Sequence, residues 1–85
     1  MTNERPNQRR SPGRVEMHLP GGYTRLLIEA GGLIPYEVPT ERIPPHLRNL
    51  GTRVHLVFTW SDGYELTAIE DLSDELYMKL YRTAT

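Results

Sequence analysis

The chain has 85 residues, a formal net charge of −1 at pH 7 and no cysteine, so it fits one small domain and excludes disulfides and thiolate metal sites. No apolar run approaches the roughly 20 residues that cross a bilayer, and the basic residues near the N-terminus precede no apolar segment, which excludes a secretory signal. We therefore expect a cytoplasmic protein with no membrane partner.

The N-terminal segment differs in composition from the rest of the chain. Residues 1–13 are rich in Asn, Gln, Arg and Pro, and they bury too little apolar surface to offset the entropy of ordering. We predict a flexible basic arm at 1–13 and a single domain at 14–85. Residues 1–14 hold four arginines against one glutamate, a balance of +3, whereas residues 15–85 hold six cations against ten acids, a balance of −4.

The first two predicted strands form a hairpin. Apolar and polar residues alternate over residues 14–19 and again over residues 23–29, which is the period of a half-buried strand. The turn between them is Pro-Gly-Gly, in which glycine accepts positive φ without steric cost. The side chains predicted to share one face of the first strand are Val15, Met17 and Leu19.

A third strand and a capped turn follow. The run 33–38 is strand-like, but Pro35 cannot donate to a ladder, so this strand should lie at an edge or carry a bulge. The segment 44–50 opens with two prolines, which suit the first turn of a helix, and a glycine follows it. We predict a short plug helix there, with Leu47 and Leu50 pointing inward to close one end of a curved sheet.

A second hairpin comes next. Residues 52–60 give the strongest strand pattern in the chain, because β-branched and aromatic residues dominate it. An Asp-Gly turn separates this strand from a fifth over residues 64–70, and that dipeptide between two such runs favours a hairpin. The side chains predicted on one face of the fourth strand are Val54, Leu56, Phe58 and Trp60, with Arg53, His55, Val57 and Thr59 opposite.

The C-terminal segment changes to a helical period. Ser73 is a suitable N-cap, and the two acids after it suit the positive end of the helix dipole. We predict a helix over residues 73–82, and a helix this short must dock because it is marginal alone in water. The pairs at i, i+4 spacing are Leu76 with Leu80 and Tyr77 with Tyr81.

The segment before the fourth strand carries a defined spacing, P-x-L-R-x-x-G-x-x-V, and a glycine pair precedes the third strand. Over residues 14–70 the chain resembles the small OB-like β-barrel domains of uncharacterised bacterial proteins. The resemblance implies a mainly β fold with five strands in an OB- or SH3-like barrel, and a bent antiparallel sheet backed by the C-terminal helix is the alternative. It brings no catalytic residue with it. The residues that carry the pattern are Pro45, Leu47, Arg48, Gly51 and Val54.

No arrangement of side chains indicates catalysis. None of the three serines follows the nucleophile-elbow pattern. His18, His46 and His55 fall on three different predicted elements, without the spacing of metal ligands. His18 and His55 are predicted to share an outward sheet face. We predict no enzymatic activity, no metal and no cofactor.

Two kinds of partner are compatible with these features. Five tyrosines are many for a small barrel, so our first prediction is a module that binds a protein or itself, as a homodimer. Its candidate interface residues are Tyr36, Tyr77 and Tyr81. The alternative is single-stranded nucleic acid, which OB-type barrels bind through aromatic and basic side chains. Candidate contacts for nucleic acid are Arg5, Arg9, Arg10, Arg14, Tyr23, Arg25, Arg53 and His55.

Overall fold

Strand β1 (Gln8–Leu19) is the middle strand of the five-stranded sheet and pairs antiparallel with a strand on each side. Its first half pairs with β4 (Arg53–Trp60), and its second half pairs with β2 (Tyr23–Glu29). The computed structural model describes residues 7–82. The remaining elements are β3 (Leu33–Pro39), the 3-10 turns η1 (Thr40–Arg42) and η2 (Pro45–Leu47), β5 (Tyr64–Asp71) and the helix α1 (Asp74–Tyr81). The sheet order is β3-β2-β1-β4-β5.

The sheet curls so strongly that both of its edges contribute to one core. Tyr36 on β3 and Phe58 on β4 meet edge to face with ring centroids 5.8 Å apart, although β2 and β1 separate their strands in the sheet. Within residues 7–82 no ladder joins β3 to β5, so the sheet stays open. Arg42 spans this gap, because its Nη2 donates to the carbonyl oxygen of Leu66 at 2.7 Å. The mainly β prediction is confirmed, in its bent-sheet form.

The hydrophobic core lies on the concave face of the sheet. Leu66 and Ile69 both reach it although they are three residues apart, because the register between β4 and β5 shifts and leaves Thr67 as a bulge. Helix α1 lies on the opposite, convex face, against side chains of β2 and β4. The core residues are Val15, Leu26, Ile28, Val38, Ile43, Leu47, Val54, Leu56, Leu66 and Ile69.

The face prediction for the first strand is wrong beyond Val15. The register between β1 and β2 shifts between Val15 and Met17, which leaves Glu16 as a second bulge. The extra residue moves the following side chains to the other face, so Met17 is 40% exposed on the convex face and the exposed His18 bonds Thr24 on the concave face. Alternation of apolar residues could not reveal this, because a bulge changes the pairing and leaves the sequence pattern intact.

The predicted helix at 44–50 is a single 3-10 turn, η2, followed by a bend. Leu47 points inward and is 4% exposed, as predicted, whereas Leu50 is 62% exposed, so the prediction that Leu50 faces the core is wrong. A turn of three residues ends before it can carry Leu50 back to the face of Leu47. Ile43, which lies between the two turns, is fully buried and completes the plug.

The prediction of a flexible arm over residues 1–13 is wrong for residues 8–13. Residues 8–13 form the first half of β1, so the ordered domain begins before Arg14, and residues 1–6 of the predicted arm lie outside the described residues. The order comes from the ladder to β4, which satisfies the backbone groups of a polar segment. Composition could not show this, since the partner strand lies about 45 residues away in the sequence.

The predicted C-terminal helix is confirmed as α1. Ser73 caps it, and the Ser73 Oγ accepts a hydrogen bond from the N–H of Leu76 at 3.1 Å. Two acids occupy its first turn, where they suit the helix dipole. Across residues 7–82 no helix has the length and apolar character that a membrane span requires.

Gly13→Ala tests the point where β1 passes from one partner strand to the other. A Cβ at residue 13 would lie 2.8 Å from both the carbonyl oxygen of Leu27 and Cδ1 of Leu56. Because one of these atoms is backbone in the β1–β2 ladder, we expect the free energy of unfolding to fall by about 1–3 kcal/mol. Urea denaturation measures this free energy, and the control is Ser11→Ala, whose side chain lies on the same face of β1. Equal stability of the two variants would contradict the close approach.

A matched pair of leucine substitutions tests the plug. Leu47→Ala should lower the free energy of unfolding by about 2–4 kcal/mol, because it leaves a cavity in the core. Leu50→Ala should change it by less than about 0.5 kcal/mol, since that side chain is in solvent. The urea midpoints of the two variants measure these changes. A large loss of stability for Leu50→Ala would mean that residues 44–50 pack with Leu50 in the core.

Candidate functional site

The two faces of the sheet differ in charge. On the convex face, arginines and carboxylates of neighbouring elements pair with one another, so the cations there already have intramolecular partners. The closest pairs are Arg10–Glu70 at 3.1 Å, Arg14–Glu29 at 3.2 Å, Arg25–Glu37 at 3.1 Å and Arg53–Asp74 at 3.1 Å.

The concave face carries very little negative charge. The pairing register assigns one carboxylate of the five strands to this face, Asp71, which lies 3.4 Å from His46 at the end of β5. The other strand carboxylates project from the convex face, apart from Glu16, which occupies the bulge of β1. The acidic character of the sheet is therefore concentrated on its convex side.

Four aromatic side chains lie on the concave face, towards the β4–β5 hairpin. Trp60 and Tyr64 form a cross-strand pair with ring centroids 5.0 Å apart and an interplanar angle of 71°, and each is 50% exposed. Phe58, two residues before Trp60 on the same face, contacts Tyr36 of β3, and both are partly buried. These four residues and Arg9 are termed the aromatic surface.

Arg9 supplies the positive charge of the aromatic surface. Its Cζ lies 5.3 Å from the ring centroid of Tyr64, which is within the range of a cation–π contact. On β1, Arg9 lies opposite Phe58. Unlike the convex arginines, Arg9 forms no ion pair with any side chain of residues 7–82. Its guanidinium is therefore open to an anionic ligand.

The local sequence explains how the aromatic surface is built. The turn between β4 and β5 contains Gly63 at φ +133°, a conformation that favours glycine, and it brings Trp60 opposite Tyr64. The N–H of Trp60 donates to the carbonyl oxygen of Asn7 at 2.7 Å, and Nδ2 of Asn7 donates to the carbonyl oxygen of Trp60 at 3.1 Å. These two bonds fix the start of β1, and Arg9 follows two residues later.

This arrangement is suited to binding. Half-exposed rings can stack on planar groups, and a guanidinium beside them can pair with an anion. The scarcity of carboxylates on the concave face removes repulsion against such a ligand. In the part of the chain that the structure describes, no group of three His, Asp or Glu side chains could hold a metal ion.

Among the residues predicted to contact nucleic acid, Arg9 lies on the aromatic surface. His55 lies on the convex face and is 5% exposed, so its imidazole is inaccessible to a ligand in this conformation. Arg5 lies outside the described residues. Because alternate residues of a strand face opposite sides, the predicted nucleic-acid contacts do not form one surface. The remaining members, all on the convex face, are Arg10, Arg14, Tyr23, Arg25 and Arg53.

The three tyrosines predicted at a protein interface are in three different environments. Tyr36 belongs to the aromatic surface. Tyr77 is 7% exposed, with its hydroxyl donating to Glu29 at 2.6 Å and Cζ of Arg53 at 3.8 Å from its ring centroid. Tyr77 therefore docks α1 within the chain. Tyr81 is 39% exposed, and its hydroxyl bonds a histidine of β4.

His18 and His55 do not share a sheet face, so that prediction is wrong. His18 turns towards the plug, where its Nδ1 lies 2.8 Å from Oγ1 of Thr24 and its Nε2 lies 2.9 Å from the carbonyl oxygen of Arg48. His55 lies on the convex face, where its Nε2 is 2.8 Å from the hydroxyl oxygen of Tyr81. The bulge of β1 causes the difference, because it inverts the facing of His18.

The sequence interpretation did not select Phe58, Trp60 and Tyr64 as functional candidates. Two signals point to them: alternation puts Phe58 and Trp60 on one face, and the Asp-Gly turn sets Tyr64 opposite Trp60. Sequence reasoning selected Arg9 for nucleic acid and Tyr36 for a protein interface, but it could not show that the two residues lie on one surface. Arg9 falls in a segment whose composition indicates an arm, and Tyr36 reaches Phe58 across two intervening strands.

Substitutions in the aromatic surface should separate binding residues from structural ones. Trp60→Ala and Tyr64→Ala should each lower the free energy of unfolding by about 1 kcal/mol or less, because half of each ring is already in solvent. Phe58→Ala should cost about 3 kcal/mol, since its ring packs on the core. Urea denaturation followed by circular dichroism tests this order, and equal losses for all three would contradict it.

Comparisons of the chain with protein-family models, with curated proteins and with solved structures find no match.

Proposed function

We propose that this protein is a non-enzymatic domain that binds single-stranded nucleic acid on its aromatic surface. The observation that carries the proposal is the half-exposed pair of Trp60 and Tyr64 beside Arg9, which forms no ion pair with the side chains of residues 7–82. Proteins that bind single strands combine aromatic side chains, on which bases stack, with cations that follow the phosphates. Both parts are present on one face, and the carboxylates of the sheet lie mainly on the other.

In the proposed complex, bases stack on the rings and Arg9 contacts a phosphate. Stacking on an aromatic side chain contributes about 1–3 kcal/mol per base and tolerates any base, because every base has a π-face. Trp60 and Tyr64 lie opposite each other on β4 and β5, so their two half-exposed rings offer adjacent platforms. Arg9 already lies over Tyr64, and rotation of its long side chain would bring the guanidinium to a phosphate while uncovering the ring.

We also propose that the fold is OB-like. OB folds are partly open, five-stranded Greek-key barrels that bind oligonucleotides on one face of the sheet. Two features support the kinship: β1 pairs with both β2 and β4, and the contact of Tyr36 with Phe58 brings β3 back towards β4. The bridge from Arg42 to β5 would then take the place of a ladder at the open edge.

The competing proposal is a protein partner, or a second copy of this chain, at the same surface. Exposed Trp and Tyr are also enriched at protein interfaces. Leu33 and Ile34 of the edge strand β3 are 54% and 48% exposed, which favours this proposal over nucleic acid at that edge. The low negative charge of the concave face and the position of the Arg9 guanidinium over the Tyr64 ring favour nucleic acid.

Fluorescence anisotropy with labelled oligo-dT and oligo-U at low salt tests the proposed function. We expect both to bind, and we expect Trp60→Ala with Tyr64→Ala to weaken binding by about 2 kcal/mol or more, because two stacking platforms are lost. Tyr23→Ala is the matched control, since Tyr23 is 46% exposed but lies on the convex face. No binding of either oligonucleotide would refute nucleic-acid binding, and a change in molar mass by light scattering for the double variant would favour self-association.

The salt dependence of binding tests the role assigned to Arg9. Arg9→Ala should make the plot of log K against log salt less steep by about 0.7, the contribution of one phosphate contact on a single strand. Arg25→Ala should leave the slope unchanged, because Arg25 pairs with Glu37 on the convex face. Equal effects of the two variants would mean that general charge, and no contact at the aromatic surface, controls affinity.

A further inference from the structure

Helix α1 is held on the convex face by polar contacts at the tips of its side chains. The hydroxyl of Tyr77 donates to Oε1 of Glu29 at 2.6 Å, and Cζ of Arg53 lies 3.8 Å from the centroid of the same ring. The hydroxyl oxygen of Tyr81 is 2.8 Å from Nε2 of His55. A helix of eight residues does not keep its shape alone in water, so these contacts decide whether α1 is folded.

The apolar burial that docks α1 comes mainly from one side chain. Tyr77 is the one residue of the helix that is buried, whereas Leu76, Met78 and Leu80 are 38%, 49% and 53% exposed. A helix that is anchored through so little apolar surface opens more easily than the sheet beneath it. Its stability therefore depends on the state of the groups that bond its two tyrosines.

His55 is surrounded by charged and titratable groups from every element packed around it. Arg10 and Glu70 pair with each other at 3.1 Å, so Glu70 is already engaged and only partly compensates a new positive charge on His55. The groups that face this region are Arg10 on β1, Glu29 on β2, Arg53 on β4 itself, Glu70 on β5, and Tyr77 and Tyr81 on α1.

The docked helix favours a neutral imidazole. Burial lowers the pKa of His55, and the positive charge of Arg10 lowers it further, while Glu70 opposes with a smaller effect. Burial also raises the pKa of the Tyr81 hydroxyl, which keeps that group protonated. A protonated His55 could still donate to Tyr81, but it would be a buried cation beside a guanidinium, and that arrangement is costly.

We propose that α1 is an acid-released strap, in which protonation of His55 detaches the helix from the convex face and uncovers the part of β4 beneath it. An exposed imidazole titrates near 6.5, so docking is strongest above that pH. As the pH falls below about 6.5 towards the lowered pKa of the docked state, docking weakens, because the undocked state takes up the proton more readily. The strap lies on the face opposite the aromatic surface and is independent of the proposed binding function.

Hydrogen exchange of the full chain, followed by NMR at about pH 7 and about pH 5, tests the strap. After correction for the intrinsic pH dependence of exchange, the protection of the α1 amides should fall at least about fivefold at the lower pH. The amides of β1 and β4 should keep their protection. Unchanged protection of α1, or a parallel loss across the sheet, would overturn the proposal.

Two variants and a control assign the effect to His55. His55→Gln keeps a donor for Tyr81 but does not titrate, so the protection of α1 should become equal at the two pH values. If that variant does not fold, Tyr81→Phe serves instead, and α1 should already be poorly protected at neutral pH. His46→Gln, on an exposed side chain, should behave like the parent chain. A His55→Gln variant that loses protection as the parent does would also overturn the proposal.

Discussion

The fold depends on one strand that serves two partners at the same point. At Gly13, β1 pairs with β2 on one side and with β4 on the other, and the absence of a side chain lets the backbone of Leu27 and the side chain of Leu56 approach. The two ladders overlap only at Gly13 and Arg14, and the right-handed twist of the twelve-residue strand rotates one ladder relative to the other. The curl that follows brings β3 back over β4 and creates one core from both edges of an open sheet.

The curl gives the two faces of the sheet different chemistry. Inside, apolar side chains fill the middle and the plug closes one end, which leaves the aromatic surface at the β4–β5 hairpin partly open to solvent. Outside, arginines and carboxylates neutralise one another in pairs, so most of the charged side chains of the sheet lie on its convex face. Under the proposed function, the charge next to the rings matters more for binding than the net charge of the chain.

The convex face carries its own distinct element. Helix α1 adds little apolar burial, and its attachment relies on hydroxyl groups, a carboxylate, a guanidinium and an imidazole. Such contacts respond to pH, whereas the packed side chains of the concave core do not. The contacts on the two faces thus differ in their expected response to pH. Strand β4 links the two faces, because its alternate residues face each side.

The sequence by itself determined the elements: the strand at 23–29, both hairpins, the Ser73 cap and the mainly β class follow from local period, turn residues and capping. It did not determine that residues 8–13 join the sheet, that bulges at Glu16 and Thr67 change the facing of the strands, or that Leu50 lies in solvent. Those outcomes come from pairing between distant segments, which local pattern does not encode. Tertiary structure alone brought Arg9 and Tyr36 to the aromatic surface, because strand curl and register set contacts across strands that the sequence keeps far apart.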